Sequence, residues 1–276
     1  MSFFKAILAA GALSVGLVGC GGDSAPHKGE LMRPEFLDPA DYRAPGVPAT
    51  LGDTDPHEWG GAAPARYAVH GIDAARYQGL IDFGKARAAG VQFAWLKATE
   101  GGDRVDPGFA PNSRNARAAG VPVGAYHFFY FCRPASEQAE WFIRHVPKRA
   151  GDLPPVLDIE WNHTSPSCRK RPPAAEVQRE MRTFLDALSA HYGTRPVIYT
   201  TIDFWRDNDL EHFAGYELWL RSVTAPPEER YPGTHWTFWQ WTGTGVVPGV
   251  RGISDVNAFR GNAAAWRDWL ARRLQR

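Results

Sequence analysis

The chain contains an apolar segment that ends in two carboxylic acids, Leu153-Pro154-Pro155-Val156-Leu157-Asp158-Ile159-Glu160. The short apolar run predicts a β-strand over residues 155–159. Because successive residues of a strand point to opposite faces, Asp158 and Glu160 are expected to project from the same face. The segment therefore predicts a strand that presents two neighbouring acids at its carboxyl end.

Outward from this segment, strand patterns alternate with helical patterns. Further strands are predicted at 67–73, 93–98, 121–129 and 196–199, and helices at 81–89, 111–119, 135–146 and 174–192. Gly90, Gly120 and Gly193 directly follow helical patterns, as glycines at helix C-termini commonly do. Regular alternation of strands and helices implies right-handed βαβ units and a parallel sheet.

The pattern changes after Thr200, where the long helices stop. Short strands are predicted at 218–221, 237–241 and 254–257, and an amphipathic helix at 263–274 closes the chain. The predicted fold class is therefore α/β, an irregular TIM-like barrel of five βα units followed by three strands with short connections. This barrel is expected to occupy residues 66–276, because α/β barrels of this length are usually single domains.

The first residues are typical of an export signal. Lys5 supplies a positive charge, and residues 6–18 form an apolar stretch too short to cross a bilayer comfortably. The stretch ends in Leu17-Val18-Gly19-Cys20, which resembles a bacterial lipobox, whose cysteine becomes the lipid-modified first residue. We predict a lipoprotein signal peptide at 1–19. An ordinary secretory signal cleaved near Gly19 is the alternative, and both remove the protein from the cytoplasm.

Residues 20–65 carry no sustained apolar period, and seven prolines lie between Gly21 and Ala65. This composition predicts a lipidated Cys20 followed by an extended, poorly ordered tether. We expect a location in the cell envelope, on the outer membrane or in the periplasm if the host is Gram-negative.

The cysteine count and the charge narrow the choice further. With Cys20 assigned to lipid, Cys132 and Cys168 remain as a possible disulfide in an extracytoplasmic compartment, and two unpaired thiols are the alternative. The formal net charge is +1, which does not resemble a nucleic-acid binder. Eleven tryptophans suit either a large core or the flat faces of sugars. A monomer is expected.

Acids recur where strands are predicted to end. Asp73 follows the first strand, Asp158 and Glu160 end the fourth, and Asp255 lies near the last. Active sites of parallel barrels lie at the carboxyl ends of the strands. Burial and mutual repulsion would raise the pKa of one acid of a close pair, and a protonated acid beside a carboxylate is the pair that glycoside hydrolysis needs. In isolation this pattern also fits a structural ion-pair network.

Several motifs together resemble glycoside hydrolase family 25, the Chalaropsis-type lysozymes. They occur in family order between about residues 68 and 259: Gly71-Ile72-Asp73 with Tyr77-Gln78-Gly79, Lys97-Ala98-Thr99-Glu100-Gly101, Gly120-Val121-Pro122-Val123-Gly124-Ala125-Tyr126-His127-Phe128, the segment 153–160, Pro196-Val197-Ile198-Tyr199-Thr200, Trp236-Thr237-Phe238-Trp239-Gln240 and Asp255-Val256-Asn257.

The resemblance implies a muramidase that cleaves the β-1,4 bond between N-acetylmuramic acid and N-acetylglucosamine in peptidoglycan. Glu160 would be the general acid that later acts as base. Asp158 would stabilise the substrate's own acetamido group as it attacks the anomeric carbon, with retention of configuration, and direct attack by Asp158 is the alternative. Asp73 and Asp255 match the family's other active-site acids.

Tyr126 matches an aromatic residue that lines the cleft in this family. We also expect Trp239 to act as a flat platform for a sugar ring, and Glu100 and Phe128 to contact the substrate. No cofactor and no metal are expected, and His70, His127 and His163 are interpreted as ordinary histidines. His127 should point away from the cleft, because it alternates with Tyr126. The basic run Arg169-Lys170-Arg171 is either a solvated surface or a region that attracts anionic wall polymers.

Two other functions fit parts of the sequence. A lipoprotein that binds peptidoglycan without hydrolysing it would explain the aromatic residues and the lipid tether, although it would not need both Asp158 and Glu160. A lysin aimed at other cells fits less well, because a tethered enzyme acts locally.

Overall fold

The computed structural model describes residue 48 and residues 50–59, 63–162 and 165–276. The predicted signal peptide, Cys20 and His163 lie outside these residues, so lipid attachment stays a prediction. Within the described chain, no helix has the length and apolar character needed to cross a bilayer.

Ten strands form one sheet in the described chain. They are β1 (Gly52–Asp53), β2 (His70–Ala74), β3 (Val91–Glu100), β4 (Arg104–Val105), β5 (Val123–Phe128), β6 (Val156–Asp158), β7 (Val197–Thr200), β8 (Glu217–Arg221), β9 (Phe238–Val246) and β10 (Ser254–Phe259). All except β1 and β4 close into an eight-stranded barrel. Neighbouring strands pair in parallel from β2 round to β9, whereas β10 is antiparallel to both β9 and β2.

Seven α-helices accompany the strands in the described residues: α1 (Phe83–Ala88), α2 (Phe109–Ala118), α3 (Ala135–His145), α4 (Ala174–Tyr192), α5 (Ile202–Asp207), α6 (Pro227–Arg230) and α7 (Ala263–Arg273). The first five each follow a barrel strand, and β8, β9 and β10 complete the barrel without long helices. The predicted irregular barrel is confirmed. Helix α4 ends at Gly193, whose φ of 69° is the left-handed conformation that glycine adopts without strain.

Large aromatic side chains fill the barrel interior. Trp95 stacks on Trp219 with ring centroids 5.0 Å apart, and Gly124 lets Trp95 approach, because a Cβ there would lie 2.5 Å from the indole nitrogen. At the end where the parallel strands begin, Trp266 and Trp269 of α7 pack against this cluster and close the barrel. The interior is therefore open to a ligand only at the opposite end, where the strands finish.

Part of the predicted tether packs against the barrel. Gly52 and Asp53 pair with Val246 and Gly245 of β9, and Trp59 contacts the ring of Trp239 with centroids 5.0 Å apart. At the closed end of the barrel, Pro48 lies so near Gly90 that a Cβ on that glycine would be 2.5 Å from Pro48 Cγ. Residues ahead of the boundary predicted at residue 66 therefore contact the barrel, and the proline-rich composition of the segment does not indicate these contacts.

Candidate active site

The four predicted acids line one cleft at the open end of the barrel. Asp73 belongs to β2, Asp158 ends β6, Glu160 follows two residues later, and Asp255 lies on β10 opposite Asp73. The cleft has a volume of about 520 Å³, within the range of small-molecule sites. The alternation of side chains along β6 thus brings Asp158 and Glu160 into the same space, as the sequence predicts.

Glu160 has the proton affinity of an acid catalyst. Its partial burial raises its pKa to about 7 despite the opposing positive charge of Arg221, and the negative charges of Asp203 and Asp73 add to the rise. A carboxyl group with this pKa is partly protonated near neutral pH, so it can donate a proton and later accept one.

Asp158 is the most deeply enclosed acid of the pair. Its side chain is buried, and burial together with the adjacent charge of Glu160 raises its pKa well above the usual range. Within the described part of the chain, its Oδ1 atom is buried without a hydrogen-bond partner. Buried polar atoms are nearly always paired, so this oxygen is suited to accept a hydrogen bond from a bound substrate.

Asp73 is held by two amide side chains. Asn257 Nδ2 donates to Asp73 Oδ1 over 2.8 Å, and Gln240 Nε2 donates to the same oxygen over 3.0 Å. The amide oxygens are occupied in turn, because Trp219 donates to Asn257 and Tyr199 donates to Gln240. These donors fix the amide orientations, and they make Asp73 Oδ1 an obligatory acceptor.

Burial raises the pKa values of both Asp73 and Asp255, which lie opposite each other. Burial raises the pKa of Asp73 to about 6, although the hydrogen bonds from Asn257 and Gln240 oppose the rise. Partial burial and the charge of Asp73 raise the pKa of Asp255 to about 8. Burial and mutual repulsion thus raise the proton affinity of all four acids above that of isolated carboxyl groups.

A second group of polar residues forms one wall of the cleft. Lys97 Nζ lies 2.5 Å from Glu100 Oε2, and Tyr130 donates to Glu100 Oε1 over 2.7 Å. Although partial burial alone would raise the pKa of Glu100, the hydrogen bond and charge of Lys97 lower it. Lys97 also lies 4.6 Å from the centroid of Phe128, and both predicted contacts, Glu100 and Phe128, line the cleft.

Tyr126 lines the cleft, but the predicted role of Trp239 as a sugar platform is wrong. Trp239 is fully buried on the outer face of the sheet, where its indole N–H donates to the Ser222 carbonyl over 2.7 Å. Its strand neighbour Gln240 faces the cleft instead, together with Trp219 on β8. Strand alternation from the interior residue Phe238 would have assigned Gln240 to the inside and Trp239 to the outside.

The predicted disulfide is present between Cys132 and Cys168, whose Cα atoms are 5.8 Å apart. It joins the loop after β5 to the loop after β6, and the latter loop contributes Ser165 and Pro166 to the cleft wall. Closing a loop of 36 residues stabilises a fold by about 3 to 4 kcal/mol in the chain-entropy view. The disulfide thus fastens one wall of the site to the barrel.

The basic run in the loop after β6 is engaged by the protein itself. Arg169 donates to the Ser165 carbonyl, Lys170 pairs with Glu176, and the guanidinium of Arg171 lies 5.0 Å from the Trp161 ring centroid. These contacts favour the interpretation of a structured surface over that of a free anion-binding patch.

Two of the three histidines considered in the sequence analysis, His70 and His127, belong to the described residues, and both are buried. His127 lies 2.7 Å from the Thr99 hydroxyl and 3.0 Å from Gln138 Oε1, away from the cleft as predicted. His70 contacts the Tyr67 carbonyl. Within the described residues, no group of three or more His, Cys, Asp or Glu side chains has a geometry suited to a metal ion.

A barrel that gathers acids of raised pKa at its strand ends has the architecture and the acid–base groups of a glycoside hydrolase. The sequence model described as Glycosyl hydrolases family 25 matches residues 72–250, and the chain belongs to this family.

Among similar proteins, the uncharacterized protein YegX of Escherichia coli (strain K12) is 37% identical over 206 residues, 72% of each chain. Lysozyme M1 of Streptomyces globisporus is 36% identical over 212 residues, 71% of this chain and 69% of that protein. The structure of a family 25 glycosyl hydrolase from Bacillus anthracis aligns with a TM-score of 0.70 and 34% identity, covering 78% of this chain and 98% of the other.

Proposed function

We propose that the protein is an N-acetylmuramidase that hydrolyses the β-1,4 bond between N-acetylmuramic acid and N-acetylglucosamine in peptidoglycan. The observation that carries the proposal is the joint presence of Asp158 and Glu160 in one sugar-sized cleft, with a pKa of about 7 for Glu160. The similarity to a protein named as a lysozyme supports the choice of substrate.

In the proposed reaction, protonated Glu160 donates its proton to the glycosidic oxygen as the bond to the leaving sugar breaks. While Glu160 is protonated, its charge no longer raises the pKa of Asp158, and Asp158 acts as the carboxylate of the pair. It accepts a hydrogen bond from the acetamido N–H, and its negative charge stabilises the positive charge that develops when the acetamido oxygen attacks the anomeric carbon. Glu160, now a carboxylate, takes a proton from water, which opens the cyclic intermediate and restores the original configuration. Asp73 and Asp255 are proposed to position the sugar in the cleft.

Digestion of purified peptidoglycan tests the proposal directly. The wild-type protein is expected to release muropeptides whose new reducing end is N-acetylmuramic acid, which mass analysis after borohydride reduction identifies. A glucosaminidase would leave N-acetylglucosamine at that end. Tight binding to peptidoglycan without any released fragment, across several wall types, would contradict hydrolysis and support the non-hydrolytic alternative.

The pKa of Glu160 predicts the alkaline side of the pH profile. The proton that Glu160 donates is lost as the pH rises through about 7, so kcat/KM should fall about tenfold per pH unit well above that value. Initial rates on soluble glycan strands measure this limb, and circular dichroism at each pH checks that the fold is intact. A rate that stays constant up to pH 9 would contradict the assignment of Glu160 as the acid.

We also propose that the protein acts in the cell envelope, anchored through a lipid on Cys20. The lipobox-like sequence before Cys20 and the disulfide between Cys132 and Cys168 support an extracytoplasmic location. Metabolic labelling with a fatty acid is expected to mark the wild-type chain and not Cys20→Ala. Equal labelling of the two, or none of the wild type, would contradict the anchor.

A further inference from the structure

Four cationic side chains line the cleft around its acids, namely Arg76, Lys97, Arg104 and Arg221. Lys97 is paired with Glu100, and the guanidinium of Arg76 lies 3.3 Å from the Tyr77 hydroxyl and 5.1 Å from the ring centroid. Within the described chain, the exposed side chains of Arg104 and Arg221 have no hydrogen bond and no ion pair. These two guanidinium groups can therefore donate to a ligand.

Of these two arginines, Arg221 is the one beside the acids, because its charge opposes the rise in the pKa of Glu160 and Asp255, whereas the charge of Arg104 acts on Glu100. It ends β8, two residues after Trp219, and its side chain reaches the same cleft. A Cβ placed on Gly243 would lie 3.2 Å from Asp255 Oδ1 and 4.0 Å from Arg221 Nη2, so both groups lie near the same point. The guanidinium does not form an ion pair with Asp255, which leaves its donors free.

The proposed substrate brings negative charge to this cleft. N-acetylmuramic acid carries a lactyl carboxylate, which is either free or joined to a stem peptide that has carboxylates of its own. An anion placed above Asp73, Asp158, Glu160 and Asp255 is repelled by whichever of them are ionised. A guanidinium at the rim offsets this repulsion, and its fork of N–H donors matches a carboxylate in geometry.

We propose that Arg221 is a specificity residue that binds a carboxylate of the glycan substrate, so that the protein prefers strands with free carboxylates over neutralised ones. This inference rests on the proposed function, since it takes the substrate to be a muramic acid polymer. Other cations are placed less well for this role. Lys97 is already paired with Glu100, Arg104 lies opposite Glu100 in the β3–β4 pair, and the basic run 169–171 is engaged by the protein itself.

A binding cycle without turnover tests the inference. The background is Glu160→Gln, and the probe is a tetrasaccharide of two N-acetylglucosamine–N-acetylmuramic acid units with free lactyl carboxylates. Calorimetry compares it with its methyl ester. Esterification is expected to weaken binding to Glu160→Gln about tenfold, the loss of one charge-assisted contact, and to have little effect when Arg221→Ala is added. Each variant is judged by the ratio of its affinities for the free acid and for the ester. Any change that the loss of Arg221 causes in the pKa values of the acids affects both affinities and cancels in this ratio.

A control variant tests for a general effect of charge, and a second probe identifies which carboxylate is bound. Arg272→Ala removes an exposed arginine from α7 at the closed end and should keep the tenfold ratio. A tetrasaccharide with stem peptides, compared with its peptide methyl esters, shows whether the stem supplies the carboxylate instead, which also supports the proposal. An ester effect that is absent in Glu160→Gln for both probes, or one that is unchanged by Arg221→Ala, overturns it.

The outcome is independent of the hydrolase proposal, because no bond is cleaved in this cycle. A wild-type protein that releases no reducing ends would refute hydrolysis. The ratio of affinities for the free acid and the ester would still show whether Arg221 binds the carboxylate.

Discussion

Replacing Glu160 by Gln is expected to lower kcat for peptidoglycan cleavage by about a thousandfold, within the range for loss of a general acid. The amide has nearly the size and shape of the carboxylic acid and can donate a hydrogen bond, but it has no proton to transfer to the leaving oxygen. Binding of glycan strands should change much less than turnover, since the cleft keeps its other groups. Release of reducing ends from purified peptidoglycan measures the effect.

Glu140→Gln is the matched control for this experiment. Glu140 is an exposed residue of α3 on the outside of the barrel, so the same chemical change there should leave the rate at the wild-type level. If Glu160→Gln kept more than a tenth of wild-type activity while retaining a native circular dichroism spectrum, another group would have to supply the proton.

Replacing Asp158 by Asn is expected to lower kcat by about a hundredfold or more, the usual cost of removing a group that stabilises developing charge. The buried Oδ1 atom without a partner in the described chain is where the acetamido N–H would bind. An asparagine oxygen still accepts a hydrogen bond, but it carries no negative charge to stabilise the cyclic cation. Soluble glycan strands of defined length allow kcat and KM to be separated.

Two further measurements distinguish the assisted route from direct attack by Asp158. Removal of the acetyl group from the muramic acid residue should reduce cleavage by wild type as severely as Asp158→Asn does, because the internal nucleophile is lost. Azide should not restore cleavage by Asp158→Ala. Recovery of activity with a glycosyl azide of inverted configuration as product would instead identify Asp158 as the nucleophile.

Most of the fold could be predicted from sequence because its signals are local. Helix α4 spans residues 174–192 as predicted, since a long amphipathic pattern is followed by a glycine that can adopt positive φ. The acids could be predicted for the same reason, because Asp158 and Glu160 follow an apolar strand and alternate correctly along it.

The remaining parts of the site depend on register between distant strands. Asn257 and Gln240 meet Asp73 across sequence separations of 184 and 167 residues, and no local pattern specifies these pairs. Arg221 is likewise one arginine among many in the sequence, and only closure of the barrel places it beside Asp255. Trp239 was wrongly predicted to contact a sugar. Its indole ring suits a sugar face, but its side chain lies on the outer face of β9.

The contact between Pro48 and Gly90 determines how the barrel can be attached to a support. A resin or a fusion partner joined directly at Pro48 would be coupled at the pole of the barrel remote from the cleft. The cleft would then face away from the surface that holds the protein, so immobilisation at Pro48 should leave long polymers free access.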